Sequence, residues 1–546
     1  MTERSIKYAQ SFKEQFTLRG MIIGVIGAVV ITTSSMYVAL KMGALPWPTI
    51  FVAVASMGVL KLFGNTNINE INVTHTSMSA GAMVAGGVAF TIPGIYMLDP
   101  DAAVGSLQLY AVTFGGVVMG LIFTALIRKY FVETQALPYP MGIAASETLI
   151  AGDEGGKKAV LLGVTMAVVA VFVFVRDKLL LIPGALFNQT LLAKGIPFGV
   201  WVAPMAVAIG YIIGPLFTGV WLLGALIGFF GIDMAGVAMG FFADLAAADA
   251  FRQSLGIGVM VGTGIGILIK GILPKAREIY GPMFSKELTK GAFISLRWTP
   301  IAFVLLAFVF TFITNMGIVA SIITILGVWI TTSMSAQIVG QTGINPMEIF
   351  GIIVLLVAKF ATSIGQLEAF FVAGIVAVAC GLCGDVMNDF KAGHILRSNP
   401  KAQWFAECIG GLVGALVSVL VLAVMFKAYG AMGPGTELPA PQAAAVAAMV
   451  GGIPDMTGFV IGLIVGALLY IVNVPVMTLG IGIYLPMFIT LTVAVGGALR
   501  LIVNLVAPDF AKKDTGTVIA AGLLGGEGIT GVLIAIWAVA SGIAAG

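Results

Sequence analysis

The sequence predicts an all-α, polytopic membrane protein, and three observations support this prediction. Of its 546 residues, 59% are hydrophobic and only 10% are charged, and the mean hydropathy is +1.07. Long apolar runs recur from Met21 to Ala545, each close to the ~20 residues that an α-helix needs to cross a bilayer. The 71 glycines are spread through these runs, where small residues let membrane helices approach closely. A soluble chain of this length would need far more charged surface.

We predict about 16–17 transmembrane helices and two re-entrant hairpins. The apolar runs lie near residues 18–40, 48–63, 71–98, 107–127, 159–175, 199–214, 215–231, 253–273, 299–317, 319–341, 345–358, 360–383, 402–427, 456–473, 475–487, 488–505 and 516–544. The hairpins are two Pro-interrupted segments, 134–152 with LPYP and 437–452 with LPAP. Broken backbone of this kind is tolerated at membrane depth when it is buried in protein.

Basic loops predict the orientation, because cytoplasmic loops carry an excess of lysine and arginine. Arg4, Lys7, Lys13 and Arg19 place the N-terminus in the cytoplasm, and the basic stretch 270–297 places the central loop there too. Eight crossings satisfy both constraints if 134–152 is a hairpin that opens to the cytoplasm. The polar, mixed-charge residues 1–17 do not form a cleavable signal peptide, so we expect a multi-pass protein of the cytoplasmic (inner) membrane.

Weak internal similarities predict a duplication. TTSSM (32–36), GALP (43–46), AMVAGGVAF (82–90), LPYP (137–140) and GTGIGILI (262–269) are followed in the same order by TTSMS (331–335), GINP (343–346), FFVAGIVAV (370–378), LPAP (438–441) and GEGITGVLI (526–534). We therefore expect an N-terminal repeat, 1–297, with eight spans and the hairpin 134–152. The remainder, 298–546, would contain a linker span, 299–317, and a C-terminal repeat with the hairpin 437–452. The unpaired linker span would invert the second copy, an arrangement that places substrate and coupling ion near the midplane in secondary transporters.

Several function classes are not supported by the sequence. There is no G-x-x-x-x-G-K-[ST] for nucleotide, and no G-x-S-x-G or H-E-x-x-H for hydrolysis, so we expect neither an ATP-driven pump nor an enzyme. No basic, aromatic-interleaved stretch indicates nucleic-acid binding. Cys380, Cys383 and Cys408 do not form a disulfide framework, and Cys380 and Cys383 are interpreted as buried free thiols. With two histidines in the chain, we expect no metal site and no cofactor.

Seven segments in order resemble the oligopeptide transporter (OPT) family, in particular its prokaryotic branch related to the yellow-stripe-like metal-chelate transporters. They are SAGAMVAGGVAFTIPGIYML (79–98), LPYPMGIAASETLIAG (137–152), GQTGINPMEIFGIIVLL (340–356), GLCGDVMNDFKAGHIL (381–396), LPAPQA (438–443), GIGIYLPMFITLTVAVGGALR (480–500) and GLLGGEGITGVLIA (522–535). The resemblance covers roughly residues 16–540. It implies proton-coupled uptake of small peptides, peptide derivatives or metal complexes of amino-acid-like chelators.

Ionisable and amide side chains inside the apolar runs are the candidate functional residues, because such groups are costly in a bilayer. Glu147, in the first hairpin, and Glu527, after a glycine break, are predicted to carry the coupling proton. Predicted substrate contacts are His75, Ser79, Gln337, Gln341, Asn345, Glu348, Gln366 and Asn473. Each has a structural alternative: a helix cap for Glu147, a first-turn acid for Glu348, and interhelical hydrogen bonding for the amides.

The polar segment GDVMND is interpreted mainly as part of a solvated cytoplasmic loop. Asp385 and Asp389 are accompanied there by Lys391, His394 and Arg397. The second hypothesis is a gate built from these charges.

The function that we predict is a secondary active transporter that imports small peptides or peptide-like compounds by alternating access. The alternatives are a metal-chelate (siderophore- or nicotianamine-like) transporter of the same fold and, less favoured, a channel. The expected partners are the substrate, a coupling proton (or sodium) and the lipid bilayer. The sequence does not determine the oligomeric state, and a homodimer is one alternative.

Overall fold

A computed structural model describes residues 8–541 except 10, 44, 46–47, 155, 285–297, 437 and 513–514. The helices of the first half are α1 (Phe12–Gln15), α2 (Leu18–Met42), α3 (Pro48–Leu62), α4 (Ile68–Ala89), α5 (Pro93–Leu98), α6 (Ser106–Arg128), α7 (Pro140–Glu154), α8 (Gly156–Val173), α9 (Gln189–Leu192), α10 (Pro204–Ile213), α11 (Pro215–Ala225), α12 (Leu245–Gly266) and α13 (Ala276–Phe284). Turns of π-helix extend several of them, at Lys129–Thr134, Phe174–Lys178, Leu226–Gly236 and Ile267–Ile272, and a 3₁₀ turn follows at Leu273–Lys275.

Helices make up most of the described residues of the second half. Its helices are α14 (Thr299–Ile313), α15 (Gly317–Thr342), α16 (Met347–Ala361), α17 (Gln366–Ile395), α18 (Pro400–Tyr429), α19 (Pro441–Gly451), α20 (Met456–Ile471), α21 (Val476–Tyr484), α22 (Met487–Val506), α23 (Pro508–Lys512) and α24 (Thr515–Ala540). A small hairpin that the sequence analysis did not anticipate lies in the first half, where β1 (Ala185–Phe187) pairs antiparallel with β2 (Gly199–Trp201).

The all-α, multi-pass architecture is confirmed. Within the described residues, ten helical segments are long and apolar enough to cross a membrane. Several of the 16–17 predicted spans fold as shorter helices instead, for example α16 with 15 residues and α21 with 9. Prolines at 346, 475 and 486 start or separate these pieces, because proline has no N–H to donate within a helix. Both predicted hairpin segments form a short helix, α7 and α19, directly after their Pro-rich stretch; Glu437 lies outside the described residues.

The chain forms two compact units, and each contains segments from both halves of the sequence. Unit 1 comprises residues 1–155, 275–451 and 531–546, and unit 2 comprises residues 156–274 and 452–530. The predicted halves, 1–297 and 298–546, therefore do not coincide with the compact units. The two repeats stay a prediction about how the gene arose by duplication.

The centre of unit 1 is formed by α4 and α17, whose described side chains are buried along most of both helices. Helix α4 packs against α2, α17 and α18, and α17 packs against α6, α15 and α16. Glycines allow the closest of these contacts: Gly81 on α4 faces Gly414 on α18, and a Cβ at Gly410 would overlap the carbonyl oxygen of Ser77. Such contact between backbones is typical of membrane helix packing.

The two Pro-rich segments of unit 1 make reciprocal contacts. The N–H of Tyr139, in LPYP, donates to the carbonyl of Gly340 in α15 at 2.9 Å. The N–H of Ala440, in LPAP, donates to the carbonyl of Leu40 in α2 at 2.8 Å. Both residues have positive φ angles, +47° and +41°, and both precede a proline. Each segment thus docks on the last turn of the helix that carries the TTSSM-like motif of the other half.

Unit 2 is also built from contacts between the two halves of the sequence. Helix α12 packs along α20 and α21, α10 packs on α22, and α11 packs on α21 and α22. Helix α8 lies against α24 where Gly522 and Gly526 leave room for Thr165 and Met166.

The contact between α4 and α18 predicts a strong sensitivity at Gly410. We expect Gly410→Ala to lower the stability of the protein by about 1–3 kcal/mol, because the added methyl group must displace the backbone of Ser77. The measurement is thermal unfolding in detergent. Gly58→Ala in α3 is the matched control, since a Cβ there meets nothing within 4 Å. Equal unfolding temperatures for the two variants would contradict this account of the packing.

Candidate functional site

Buried carboxyl groups of the described residues fall into two classes. Three are paired with arginine, as Arg19–Glu70, Arg252–Asp233 and Arg176–Glu527, at 2.6–2.9 Å. Four others, in unit 1, have no lysine or arginine within ion-pair distance among the described residues: Glu348, Asp385, Asp389 and Glu407. Of these, Asp385, Asp389 and Glu407 are each 0% exposed. We call Asp385, Asp389, Glu407 and the contacting His75 and Ser79 the carboxyl cluster.

Asp389 lies at the centre of the cluster. Its Oδ1 is 3.1 Å from Nε2 of His75, and its Oδ2 accepts a hydrogen bond from the hydroxyl of Ser79 at 2.7 Å. His75 and Ser79 are four residues apart on α4, so both side chains lie on the helix face that meets α17. Both were predicted from the sequence as substrate contacts, and the structure brings them to one carboxylate.

Asp385 lies one turn before Asp389 on the same face of α17. Its Oδ1 accepts a hydrogen bond from the hydroxyl of Thr49, in α3, at 2.9 Å, and Ser79 also approaches it. Glu407, on α18, completes the cluster and lies near both aspartates. Four helices, α3, α4, α17 and α18, therefore contribute to this site.

The interpretation of GDVMND as a solvated loop is wrong for its acidic residues. Helix α17 continues without interruption to Ile395, and Asp385, Asn388 and Asp389 are fully buried in it. Only the following residues reach solvent: Lys391 is half-buried, and His394 and Arg397 are exposed. Loop-like composition was misleading here because the polar residues at 385, 388 and 389 find their partners on other helices.

Sequence reasoning missed Glu407, Thr49 and Asn388. A signal for Glu407 was present, since it is an acidic residue inside the apolar run 402–427. Nothing in the sequence singles out Thr49, because hydroxyl side chains are common in membrane helices and usually bond to their own backbone.

A second group of predicted residues lies on α15 and at the start of α16. Asn345 donates to the carbonyl of Cys380 at 2.9 Å and accepts from the hydroxyl of Ser335 at 3.0 Å, so it ties this turn to α17. Gln337 is buried and Gln341 half-buried on α15. Glu348 is buried in the first turn of α16, where the helix dipole favours a negative charge.

Two predicted substrate contacts are not part of the cluster. Gln366 is exposed in the first turn of α17, and 19 residues separate it from Asp385, or roughly 28 Å along a helix. Asn473 belongs to unit 2, is exposed, and accepts a hydrogen bond from Lys270 at 2.6 Å.

The two predicted proton carriers have different surroundings. Glu147 is half-buried on α7 in unit 1. Glu527, in unit 2, is buried, pairs with Arg176 at 2.9 Å and accepts from the N–H of Met205 at 2.6 Å. A carboxyl group held by a guanidinium and a backbone donor suits a structural tie between α8 and α24 better than a carrier.

The carboxyl cluster has the chemistry to take up and release a proton. Like-charged carboxylates that are close together in a medium of low dielectric cannot all be ionised, and no arginine or lysine neutralises these three among the described residues. An imidazole and two hydroxyl groups supply further hydrogen-bonding partners.

Cys380 and Cys383 are buried free thiols, as expected. The thiol of Cys380 bonds to the hydroxyl of Thr331, and that of Cys383 bonds to the carbonyl of Thr332.

Comparisons with known proteins point to one family. The family model described as "OPT oligopeptide transporter protein" matches residues 15–253 and 275–538. The chain is 28% identical over 93% of its length, and over 93% of the relative, to a Haemophilus influenzae protein named "Putative oligopeptide transporter". It is also similar to plant proteins over shorter stretches. The "Probable metal-nicotianamine transporter YSL5" of Arabidopsis thaliana is 28% identical over 32% of this chain and 28% of its own, and "Metal-nicotianamine transporter YSL2" is 35% identical over 13% of this chain and 12% of its own.

The pair of Arg176 and Glu527 predicts a non-additive effect on stability. We expect Arg176→Met to destabilise the protein by about 3–5 kcal/mol, because it leaves a buried carboxylate without its cation. The double variant Arg176→Met, Glu527→Met should recover most of this loss, since it removes both charges. Thermal unfolding of the two variants in detergent checks the expectation. If the double variant is as unstable as Arg176→Met, the loss of stability does not come from leaving Glu527 unpaired.

Proposed function

Because the chain belongs to the OPT oligopeptide transporter family, we propose that it imports small peptides or peptide-like compounds by alternating access, driven by protons that bind at the carboxyl cluster. The family membership makes it a membrane transporter. The observation that carries the rest of the proposal is the cluster itself: Asp385, Asp389 and Glu407 are fully buried without a lysine or arginine partner among the described residues.

A proton suits the cluster because the binding and release of a proton change the number of buried negative charges. A transport cycle alternates between two states that require such a change. An ionised carboxyl group at membrane depth costs several kcal/mol unless it is paired, so such residues mark ion pathways. A proton shared between Asp389 and Glu407 removes one negative charge without requiring a rigid coordination shell. The imidazole of His75 contacts Asp389 and gives this carboxyl group a hydrogen-bonding partner.

Sodium is the alternative coupling ion, and the geometry favours the proton over it. Sodium, like other hard cations, prefers a shell of oxygen ligands. Here one oxygen of Asp389 faces an imidazole nitrogen instead.

Alternating access is supported by the reciprocal docking of the Pro-rich segments in unit 1. Short helices, α7 and α19, follow these segments, and broken helices from two related halves line the transport path in several secondary transporters. A pathway of this kind, with two related gating segments, supports a carrier rather than a channel.

The peptide class is favoured for the substrate because the similarity that spans the whole chain is to a protein named as an oligopeptide transporter. Metal chelates of amino-acid-like compounds are the second candidate, on the basis of the partial similarity to metal-nicotianamine transporters. Both classes carry carboxylate and amino groups, and Gln337, Gln341 and Glu348 offer partners of the matching polarity in unit 1.

The proposed function predicts a loss of coupling when Asp389 is neutralised. We expect Asp389→Asn to reduce proton-driven accumulation by at least about tenfold, within the range of ordinary coupling free energies, while substrate exchange across the membrane continues. The measurement is uptake into proteoliposomes, with and without an inward proton gradient, compared with counterflow at equal pH. Glu407→Gln should behave in the same way.

Matched variants separate this site from the sequence-predicted carriers. Glu147→Gln and Glu527→Gln should retain gradient-driven accumulation if the cluster is the coupling site. If Glu147→Gln abolishes driven uptake while Asp389→Asn leaves it intact, the coupling proton binds on α7 and the present assignment is wrong.

The proposed function also predicts which class of substrate is transported. Di- to pentapeptides, glutathione and iron–chelator complexes are offered to proteoliposomes under an inward proton gradient. We expect saturable uptake of a peptide that collapses with a protonophore. Saturable uptake of the chelates alone would select the second class, and flux linear in concentration and indifferent to the gradient would indicate a channel.

A further inference from the structure

Helix α7 begins without a capping side chain of its own. Helix N-termini leave N–H groups without intrahelical partners, and a Ser, Thr, Asp or Asn directly before the helix normally accepts one of them. Here the preceding residue is Tyr139, and the first helical residue is Pro140. The hydroxyl of Tyr139 donates instead to the carbonyl of Ala336, on α15, at 3.0 Å.

The missing cap is supplied by another helix. The side-chain oxygen of Asn388, on α17, accepts a hydrogen bond from the N–H of Gly142 at 3.2 Å. The side-chain amide of Asn388 donates to the carbonyl of Gly384 at 3.1 Å, which holds its orientation. Gly142 allows this approach, since a Cβ there would overlap the carbonyl oxygen of Asn388. The backbone of α7 therefore rests directly on α17.

This contact lies beside the carboxyl cluster. Asn388 lies three residues after Asp385, so these two side chains are neighbours on one face of α17, and Asp389 follows Asn388 on the same turn of the helix. The N-terminus of a helix carries a partial positive charge, equivalent to about half an elementary charge. Negative charge on the aspartates therefore favours the docked position of α7, and protonation weakens this attraction.

We propose that Asn388 is a positioning residue that couples the charge of the Asp385–Asp389 pair to the docking of α7 on α17. The inference rests on the proposed function for its role in transport, and on the contacts of Asn388 for its structural part. When the aspartates are ionised, α7 is held at Asn388. When they are protonated, only a neutral hydrogen bond remains, and α7 is released more easily. Proton binding would then be converted into movement of a short helix of the predicted first hairpin.

Other titratable or charged groups lie on α7 and on the helices around it, and the test must control for them. They are His75 on α4, Glu407 on α18, Lys391 on α17 next to Gly142, Lys61 on α3, and Glu147 and Asp153 on α7. Neutralising substitutions at single positions are therefore more informative than a change of pH, which would titrate several of these groups together.

The experiment measures hydrogen–deuterium exchange of peptides that cover α7, in the full-length protein in lipid nanodiscs at constant pH. We expect Asp389→Asn to lower the protection of α7 by about fivefold, and Asn388→Ala to lower it by a similar factor, the effect of losing a helix cap. The double variant should show no further loss beyond about twofold, because without Asn388 the charge of Asp389 no longer acts on a docked helix. Asn72→Ala is the matched control: Asn72 is equally buried but donates to Ser398, and its loss should leave α7 unchanged.

Two results would overturn the proposal. One is an Asp389→Asn effect on α7 of the same size with and without Asn388, which would mean that the two residues act independently. The other is an absence of any Asp389→Asn effect on α7. Should Asn388→Ala fail to fold, Asn388→Ser provides the second test. Its shorter polar side chain leaves the N–H of Gly142 without its acceptor, so α7 should lose protection and should respond no further to Asp389→Asn.

The same variants separate this inference from the proposed function. If α7 responds as expected but Asp389→Asn still accumulates substrate under a proton gradient, the docking device stands and the assignment of the coupling site fails. If Asp389→Asn loses driven uptake but α7 is unchanged, the coupling site stands and Asn388 does not transmit its charge.

Discussion

The structure depends on the rule that a charge buried away from water needs a partner. In unit 2, arginine supplies that partner: Arg252 holds Asp233 and the last turn of α21 through the carbonyl of Ile483, and Arg176 holds Glu527. Among the described residues of unit 1, arginine does so for Glu70, which meets Arg19 near the surface. The carboxyl cluster at the centre of unit 1 breaks the pattern, and this difference is the reason that we propose the cluster, rather than the arginine-paired carboxyl groups, as the proton site.

The same rule explains why α4 and α17 are the most buried helices. Both carry a polar face, with His75 and Ser79 on one and Asp385, Asn388 and Asp389 on the other, and neither face could lie against lipid. Packing the two faces together satisfies both at once. The glycines at the contacts of α4 and α18 allow the helices to approach closely enough for side chains on four helices to meet.

The architecture was predictable because hydrophobic length is a local property. Runs of apolar residues predict membrane helices without knowledge of their neighbours, and the Pro-rich segments LPYP and LPAP predicted interruptions where α7 and α19 begin. The number of spans was less predictable. A run such as 475–487 has the composition of a span, yet its helix has nine residues, because the prolines on either side end it.

What the sequence alone determined is the class of the protein: the recurring apolar runs, the seven ordered segments and the scarcity of charge suffice for a multi-pass transporter-like chain. The tertiary structure decided which polar residues act together. GDVMND has the composition of a solvated loop, and Glu527 that of a free carboxylate in an apolar run, yet the first is buried against α3 and α4 and the second is paired with Arg176. The physical reason is that the state of a buried charge depends on its partners, and these lie from 19 to more than 300 positions away in the sequence.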